Sequence, residues 1–137
     1  MNTDEAQPEA RIVPRLDLLP PELGLYGYLC RRRWPGGYDY GPPLRDLRPG
    51  SADYATAVDE IGRALRVLAR CGAPLPRRGP DRRGVNSYRL KHQVERRAGR
   101  YVANGAAIAA CLLSGIEVRR EAADGPNAIC GVVLGDE

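Results

Sequence analysis

The chain has 137 residues, 43% of them hydrophobic, and carries a net charge of +4 from 21 basic and 17 acidic side chains. This length suits one small domain that buries a modest core without disulfide or metal staples. The four cysteines form no C-x-x-C pair, and one histidine cannot complete a histidine-based zinc set. We therefore predict neither a disulfide framework nor a metal site, and no cofactor.

The hydropathy of the chain favours a cytoplasmic protein that does not bind membranes. No apolar run reaches the roughly eighteen residues that a membrane-spanning helix needs. The first residues, M-N-T-D-E-A-Q-P-E-A, are acidic and polar, whereas a secretory signal is basic and then apolar.

Positive charge is concentrated between residues 63 and 100. This stretch holds twelve basic and two acidic residues, a net charge of +10, while the rest of the chain sums to −6. Such a concentration is expected of a protein that binds phosphate backbones or an acidic protein surface. It is equally expected of a solvated surface in a chain that uses arginine in place of lysine, and charge runs alone do not decide between the two.

Residues 1–50 are rich in proline and glycine and are predicted to form an irregular arm and loop packed on the core. Within them, the stretch R-R-R-W-P-G-G-Y-D-Y-G-P-P, residues 31–43, interleaves arginines with aromatic rings. Rings stack on unstacked bases and guanidinium groups neutralise phosphates, so this loop is a candidate nucleic-acid contact. The alternative is that its rings anchor the loop to the domain. Tyr26 and Tyr28 resemble one face of a strand more than a site.

Residues 51–137 are predicted to form a helical core with a C-terminal hairpin. Ser51 or Asp53 caps a first helix, whose apolar residues recur at three- and four-residue steps and which ends near Cys71. Its arginines lie off the apolar stripe, which predicts a basic outer face. The linker that follows, residues 74–86, is predicted to be mobile or ordered only by a partner.

A second helix is predicted from Ser87, its cap, to about Ala98, with Leu90 and Val94 in its core-facing stripe. A third helix is capped by Asn104.

The third helix is closed by Gly115 and is apolar all round, which places it in the core. Two strand-like runs, residues 116–120 and 128–134, are separated by A-D-G-P-N and predict a hairpin. The predicted fold class is therefore α+β: a mostly helical small domain with three helices and a C-terminal β-hairpin, after an irregular N-terminal part.

This order of elements invites a winged helix-turn-helix assignment, which the residues argue against. The third helix would be the recognition helix, yet residues 106–113 contain no charged or amide side chain that could hydrogen-bond a base edge. Residues 99–104 also form a longer turn than the three or four residues typical of that motif. Sequence-specific reading of the major groove is therefore disfavoured.

The second helix carries the richest chemistry. Lys91 and His92 are the single lysine and the single histidine of the chain, and helical geometry places them with Tyr88 and Glu95 on one broad face. His92 could act as a general acid or base, with Glu95 orienting it and Lys91 stabilising negative charge. The simpler interpretation is an i, i+4 ion pair between Lys91 and Glu95 beside a contact of His92 with Tyr88, with no reaction. The residues favour this simpler interpretation, since the chain has no recognisable nucleophile motif and no phosphate-binding glycine loop.

Several motifs of the C-terminal half resemble those of small accessory proteins of phages and mobile elements. They are S-Y-R-L-K-H-Q-V-E (87–95), Y-V-A-N-G (101–105) with the A-A-I-A-A run after it, and P-N-A (126–128). In such proteins the second motif reads Y-[IV]-S-N-G-x-[FI]-I-A-A, so Ala103 here replaces a serine and Ala107 an aromatic residue. The resemblance does not cover the N-terminal half. It implies a context and no mechanism. Phage accessory proteins commonly bind nucleic acid or block host defence complexes.

Three functions remain open on the sequence. The first is a non-catalytic module that binds nucleic acid or a nucleoprotein complex, and the second is an inhibitor of a host nucleic-acid-processing complex, of the anti-CRISPR or related anti-defence kind. The third is a small enzyme that uses His92, Lys91, Glu95 and Tyr88. The candidate contact residues of the first two are these: Arg63, Arg66, Arg70, Arg77, Arg78, Arg82, Arg83, Arg89, Lys91, Arg96, Arg97, Arg31, Arg32, Arg33 and Trp34.

Overall fold

The computed structural model describes residues 13–29, 41–75, 84–122 and 125–135. Most of the loop of arginines and aromatic residues (31–43) and the centre of the linker (74–86) lie outside these ranges. The predictions made for the following residues therefore fall on undescribed parts of the chain: Arg31, Arg32, Arg33, Trp34, Arg77, Arg78, Arg82 and Arg83.

Within the described part of the chain, three α-helices form the body of the protein: α1 (Ala52–Cys71), α2 (Ser87–Ala98) and α3 (Asn104–Leu113). α3 packs against both α1 and α2. Residues 104–111 are all buried, so the prediction that this apolar helix lies in the core is confirmed. Its alanines leave room for the neighbouring helices to approach closely.

Two predicted helix caps are wrong. Asn86, not Ser87, caps α2, because its Oδ1 accepts a hydrogen bond from the N–H of Tyr88 at 2.8 Å. Ser87 is buried instead, and its Oγ accepts from the N–H of Ala128 at 2.9 Å. Asn104 is the first residue of α3 and gives it no side-chain cap. In both cases a polar side chain that could cap its own helix contacts a distant segment.

Seven short strands of the described residues pair antiparallel in three small sheets. They are β1 (Leu23–Gly24) with β2 (Gly27–Tyr28), β3 (Gly72–Pro74) with β7 (Val132–Leu134), and a sheet ordered β4 (Val85–Asn86), β6 (Ala128–Cys130), β5 (Val118–Arg120). The α+β class is thus confirmed.

The C-terminal hairpin is more branched than the sequence predicts. β5 and β6 pair as expected, with Val118 opposite Cys130. The run from residue 128 to 134 is not one strand, however, because it breaks at Gly131 and its second half, β7, pairs with β3. β6 also pairs with β4. Both ends of the linker are therefore held in sheets, and the prediction of a mobile linker is wrong for its first and last residues.

The N-terminal part contributes to the same core as the helices. Leu16 lies in a short 3-10 turn, Leu23 and Tyr28 in β1 and β2, and Leu44 in a second 3-10 turn, and all four are buried. None of the helices in the described ranges combines the length and the apolar character that crossing a membrane requires.

Candidate functional site

A cleft of about 770 Å³ opens between α2, the segment that joins α2 to α3, the turn between β1 and β2, and the residues just before β6. The structure brings together the four residues of α2 for which the sequence suggested chemistry and adds five others. The cleft is lined by Tyr26, Tyr88, Lys91, His92, Glu95, Tyr101, Asn104, Pro126 and Asn127.

Glu95 organises one wall of this cleft. Its Oε1 accepts a hydrogen bond from Lys91 Nζ at 3.1 Å, and the Nδ1 atom of His92 lies 3.0 Å from the same oxygen. Because a carboxylate only accepts, Nδ1 is the protonated, donating nitrogen in this contact. Oε2 accepts from the N–H of Val102 at 3.2 Å. One carboxylate thus fixes a cation, an imidazole and the backbone of the next segment.

Lys91 is a buried cation, only 5% exposed. Its ammonium lies 4.7 Å from the ring centroid of Tyr101 and 5.4 Å from that of Tyr88. Aromatic faces attract cations, so these rings and the Glu95 carboxylate together balance its charge. Lys91 is therefore a poor candidate for the direct partner contact that the charge pattern predicted.

The predicted basic outer face of α1 is wrong for Arg63. This side chain is buried, where it pairs with Asp59 and donates a hydrogen bond to the carbonyl oxygen of Tyr101. Arg66 is half-buried and Arg70 is exposed on the same helix. Arg63 therefore holds the chain that carries Tyr101 and is not part of an exposed binding surface.

Residues 101–103 are held by charged side chains at three successive positions. Besides the carbonyl bond just described, the N–H of Val102 donates to Glu95, and the N–H of Ala103 donates to Glu60 Oε1 at 2.6 Å. A segment without regular secondary structure is thereby fixed in one conformation, and the ring of Tyr101 projects from it into the cleft wall.

Asn104 and Gly105 dock the turn that carries Tyr26. The Nδ2 atom of Asn104 donates to Asn127 Oδ1 at 3.0 Å and to the carbonyl oxygen of Tyr26 at 3.3 Å. The N–H of Gly105 donates to the carbonyl oxygen of Leu25 at 2.8 Å. Tyr26 is thus a turn residue of the cleft, and the interpretation that it forms a strand face with Tyr28 is wrong.

A shallower depression of about 610 Å³ adjoins the cleft. It is lined by His92, Glu95, Arg96, Gly99, Arg100 and Tyr101. His92, Glu95 and Tyr101 belong to both depressions, so they mark the boundary between a tyrosine-rich cleft and an arginine-bearing groove.

The arginines of α2 divide into two groups. Arg89 and Arg96 are exposed, and helical geometry places them two turns apart beside the face of Tyr88 and His92. Arg97 is half-buried and donates to the carbonyl oxygen of Gly135 at 3.0 Å, which ties α2 to the end of β7. Of the two groups, only the first faces solvent beside the cleft.

Comparisons of the chain with models of protein families, with curated proteins and with solved structures found no match. The resemblance to phage accessory proteins therefore stays a prediction. The geometry of the cleft alone carries the functional argument.

Sequence reasoning missed Tyr26, Tyr101 and Asn127 as site residues. The Y-V-A-N-G motif was a usable signal, because Tyr101 begins it and lies six residues after Glu95. Tyr26 gave no signal of its own, since it reaches the cleft only because Asn104 holds the β1–β2 turn against α3.

The hydrogen bonds of Glu95 predict a loss of stability in acid. Burial raises the pKa of Glu95, but the hydrogen bonds from Val102 and Lys91 outweigh it and hold the pKa below its ordinary value. A lowered pKa stabilises the fold above the unfolded value of about 4.3 and stops doing so as the pH falls through the folded value. We expect the free energy of unfolding, measured in urea across the acidic range, to fall below about pH 4. Glu95→Gln is expected to flatten that fall.

Glu60 provides a control of opposite sign. Burial raises its pKa despite the hydrogen bond from Ala103. As the pH falls from this raised pKa to the unfolded pKa of about 4.3, Glu60 takes up a proton in the folded state before it does so in the unfolded state. Acidification within this range therefore stabilises the fold. Glu60→Gln is expected to abolish this rise in the free energy of unfolding between the two pH values. If the free energy of unfolding of Glu95→Gln fell with pH as steeply as that of the unchanged protein, the acid sensitivity could not be assigned to Glu95.

Proposed function

We propose that this protein binds single-stranded nucleic acid through the tyrosine-lined cleft and the exposed face of α2. The observation that carries the proposal is the grouping of Tyr26, Tyr88 and Tyr101, which are 51, 53 and 55% exposed, around one cleft. Rings held half-exposed by a pinned backbone are stacking platforms for bases, worth about 1–3 kcal/mol per base. Bases reach such rings only when they are unstacked, which favours single strands over duplexes.

The charges around the cleft support the same ligand. Lys91 and Glu95 balance each other on the cleft wall, so the cleft itself suits an uncharged planar group. Arg89, Arg96 and Arg100 are exposed beside it, where they would neutralise the phosphates that flank a bound base. The proposal therefore assigns the phosphate contacts to α2 and the turn after it. Of the arginines that the sequence suggested, it keeps the exposed ones of α2 and leaves out those of α1.

Fluorescence anisotropy with labelled single-stranded RNA, single-stranded DNA and duplex DNA tests the proposal. We expect saturable binding of the single strands that weakens steeply with salt, with a logarithmic slope of about 0.7 per neutralised phosphate. Tyr88→Ala is expected to weaken binding about fivefold to a hundredfold, because one stacked base is lost. The double substitution of Arg89 and Arg96 by alanine is expected to reduce the salt slope by about one unit or more.

Arg48→Ala is the matched control, because Arg48 is an exposed arginine before α1 that lines neither depression. Its affinity and salt slope are expected to equal those of the unchanged protein. Equal weakening by Arg48→Ala and by the α2 double variant would refute a localised site. Absence of binding at low salt would remove the proposal and leave a protein target, such as a nucleic-acid-processing complex, as the function to test.

A further inference from the structure

The position of His92 suggests chemistry as well as binding. His92 lines both the tyrosine-rich cleft and the arginine-bearing groove. If a base occupies the first and its phosphate the second, the ribose that joins them lies beside this imidazole. The inference below therefore rests on the proposed binding of single strands.

The imidazole is arranged as a proton acceptor. Its Nδ1 atom is held 3.0 Å from Glu95 Oε1, and its Nε2 atom has no hydrogen-bond partner among the described residues. The side chain is 48% exposed, so a ligand can reach Nε2. In a neutral imidazole, a carboxylate that holds the proton on Nδ1 leaves the Nε2 lone pair free to accept one, and histidine is the usual residue for this role.

The residues that line the two depressions include no serine, threonine or cysteine nucleophile. No group of three or more metal-binding side chains occurs within the described ranges either. A substrate that brings its own nucleophile is therefore the best match for these residues. RNA does so, because its 2′-hydroxyl lies next to the phosphodiester bond, whereas DNA lacks it.

We infer that the protein cleaves single-stranded RNA, with His92 as the general base for attack by the 2′-hydroxyl. The 2′-oxygen forms a bond to phosphorus as the bond from phosphorus to the 5′-oxygen breaks, and the 2′-hydroxyl proton passes to His92 Nε2. The leaving 5′-oxygen takes the proton of the Tyr101 hydroxyl. The imidazolium then returns its proton to the phenolate through water, so the protein is unchanged. The products are a 2′,3′-cyclic phosphate and a 5′-hydroxyl.

The surrounding groups suit this step. The hydroxyl of Tyr101 has no hydrogen-bond partner among the described residues, and burial together with the Glu60 carboxylate raises its pKa, so the phenol keeps its proton for donation. Arg96 and Arg100 line the groove in which negative charge develops on the phosphate oxygens. Cations placed there stabilise the transition state.

The test compares three oligonucleotides of one sequence in a buffer with EDTA: RNA, DNA, and RNA methylated at every 2′-oxygen. We expect only unmodified RNA to be cleaved, with 2′,3′-cyclic phosphate ends identified by mass spectrometry, while methylated RNA binds and stays intact. His92→Ala and His92→Gln are expected to lose cleavage by about a hundredfold or more. Both should still bind methylated RNA saturably, with a loss of affinity much smaller than the loss of cleavage, and imidazole in the buffer should restore part of the activity of His92→Ala.

The control variant is again Arg48→Ala, prepared in the same way, which is expected to cleave at the unchanged rate. Intact RNA together with normal binding of methylated RNA would overturn this inference and leave the proposed function standing. Intact RNA without any binding would overturn both. Cleavage by the two His92 variants at the unchanged rate would show that His92 is not the base and would also overturn the inference.

Discussion

Replacement of Glu95 by alanine is expected to destabilise the fold by about 3 kcal/mol or more. The substitution removes the acceptor of three contacts, from Lys91, His92 and the backbone of Val102. It also leaves the buried ammonium of Lys91 without its carboxylate, and an unpaired buried charge costs more than a lost hydrogen bond. Urea unfolding at neutral pH measures the effect as a lower midpoint.

The exposed pair of Arg15 and Asp17 is the matched control. Its nitrogen–oxygen distance, 2.8 Å, is shorter than the 3.1 Å between Lys91 and Glu95, but its side chains are 68 and 62% exposed. Exposed ion pairs contribute little, so Asp17→Ala is expected to leave the midpoint nearly unchanged. The double variant Lys91→Met with Glu95→Gln is expected to cost less than the sum of its two single substitutions, because it leaves no unpaired charge at this position. Equal midpoints for Glu95→Ala and Asp17→Ala would contradict the role assigned to Glu95.

Replacement of Gly105 by alanine is expected to produce a comparable loss, about 3 kcal/mol or more, and to disturb the cleft. A Cβ atom at this position would lie 1.9 Å from the carbonyl oxygen of Gly24 and 2.5 Å from that of Leu25. These are backbone atoms, so they cannot rotate away as a side chain could, and α3 must separate from the β1–β2 turn. The turn carries Tyr26, which would then leave its place beside the cleft.

Thermal unfolding and the binding titration together measure this effect. Gly135→Ala is the control, because the nearest atom to its new Cβ is the carbonyl oxygen of Cys71 at an ordinary 3.7 Å. We expect the control to keep both its melting temperature and its affinity. A Gly105→Ala protein as stable as the control would show that the turn can move away from α3 without loss.

The non-local contacts explain which of the predictions were wrong. Arg63 lies off the apolar stripe of α1, so periodicity marks it as exposed, but it contacts Tyr101, 38 residues away. Asn104 has the character of a helix cap, but it contacts Tyr26, 78 residues away. The strand run from residue 128 to 134 divides because β3 and β4 supply two different partners. No local pattern contains the partner segment, so none of these outcomes could be read from the neighbouring residues.

The sequence by itself determined the three helices, the apolar character of α3 and the common face of Tyr88, Lys91, His92 and Glu95. These features depend on spacing within one segment, and helical geometry converts spacing directly into position. The tertiary structure alone decided that this face becomes the wall of a cleft. The other wall comes from Tyr26, Tyr101 and Asn127, and it is assembled by hydrogen bonds between segments far apart in the chain, whose pairing depends on the packing of the whole core.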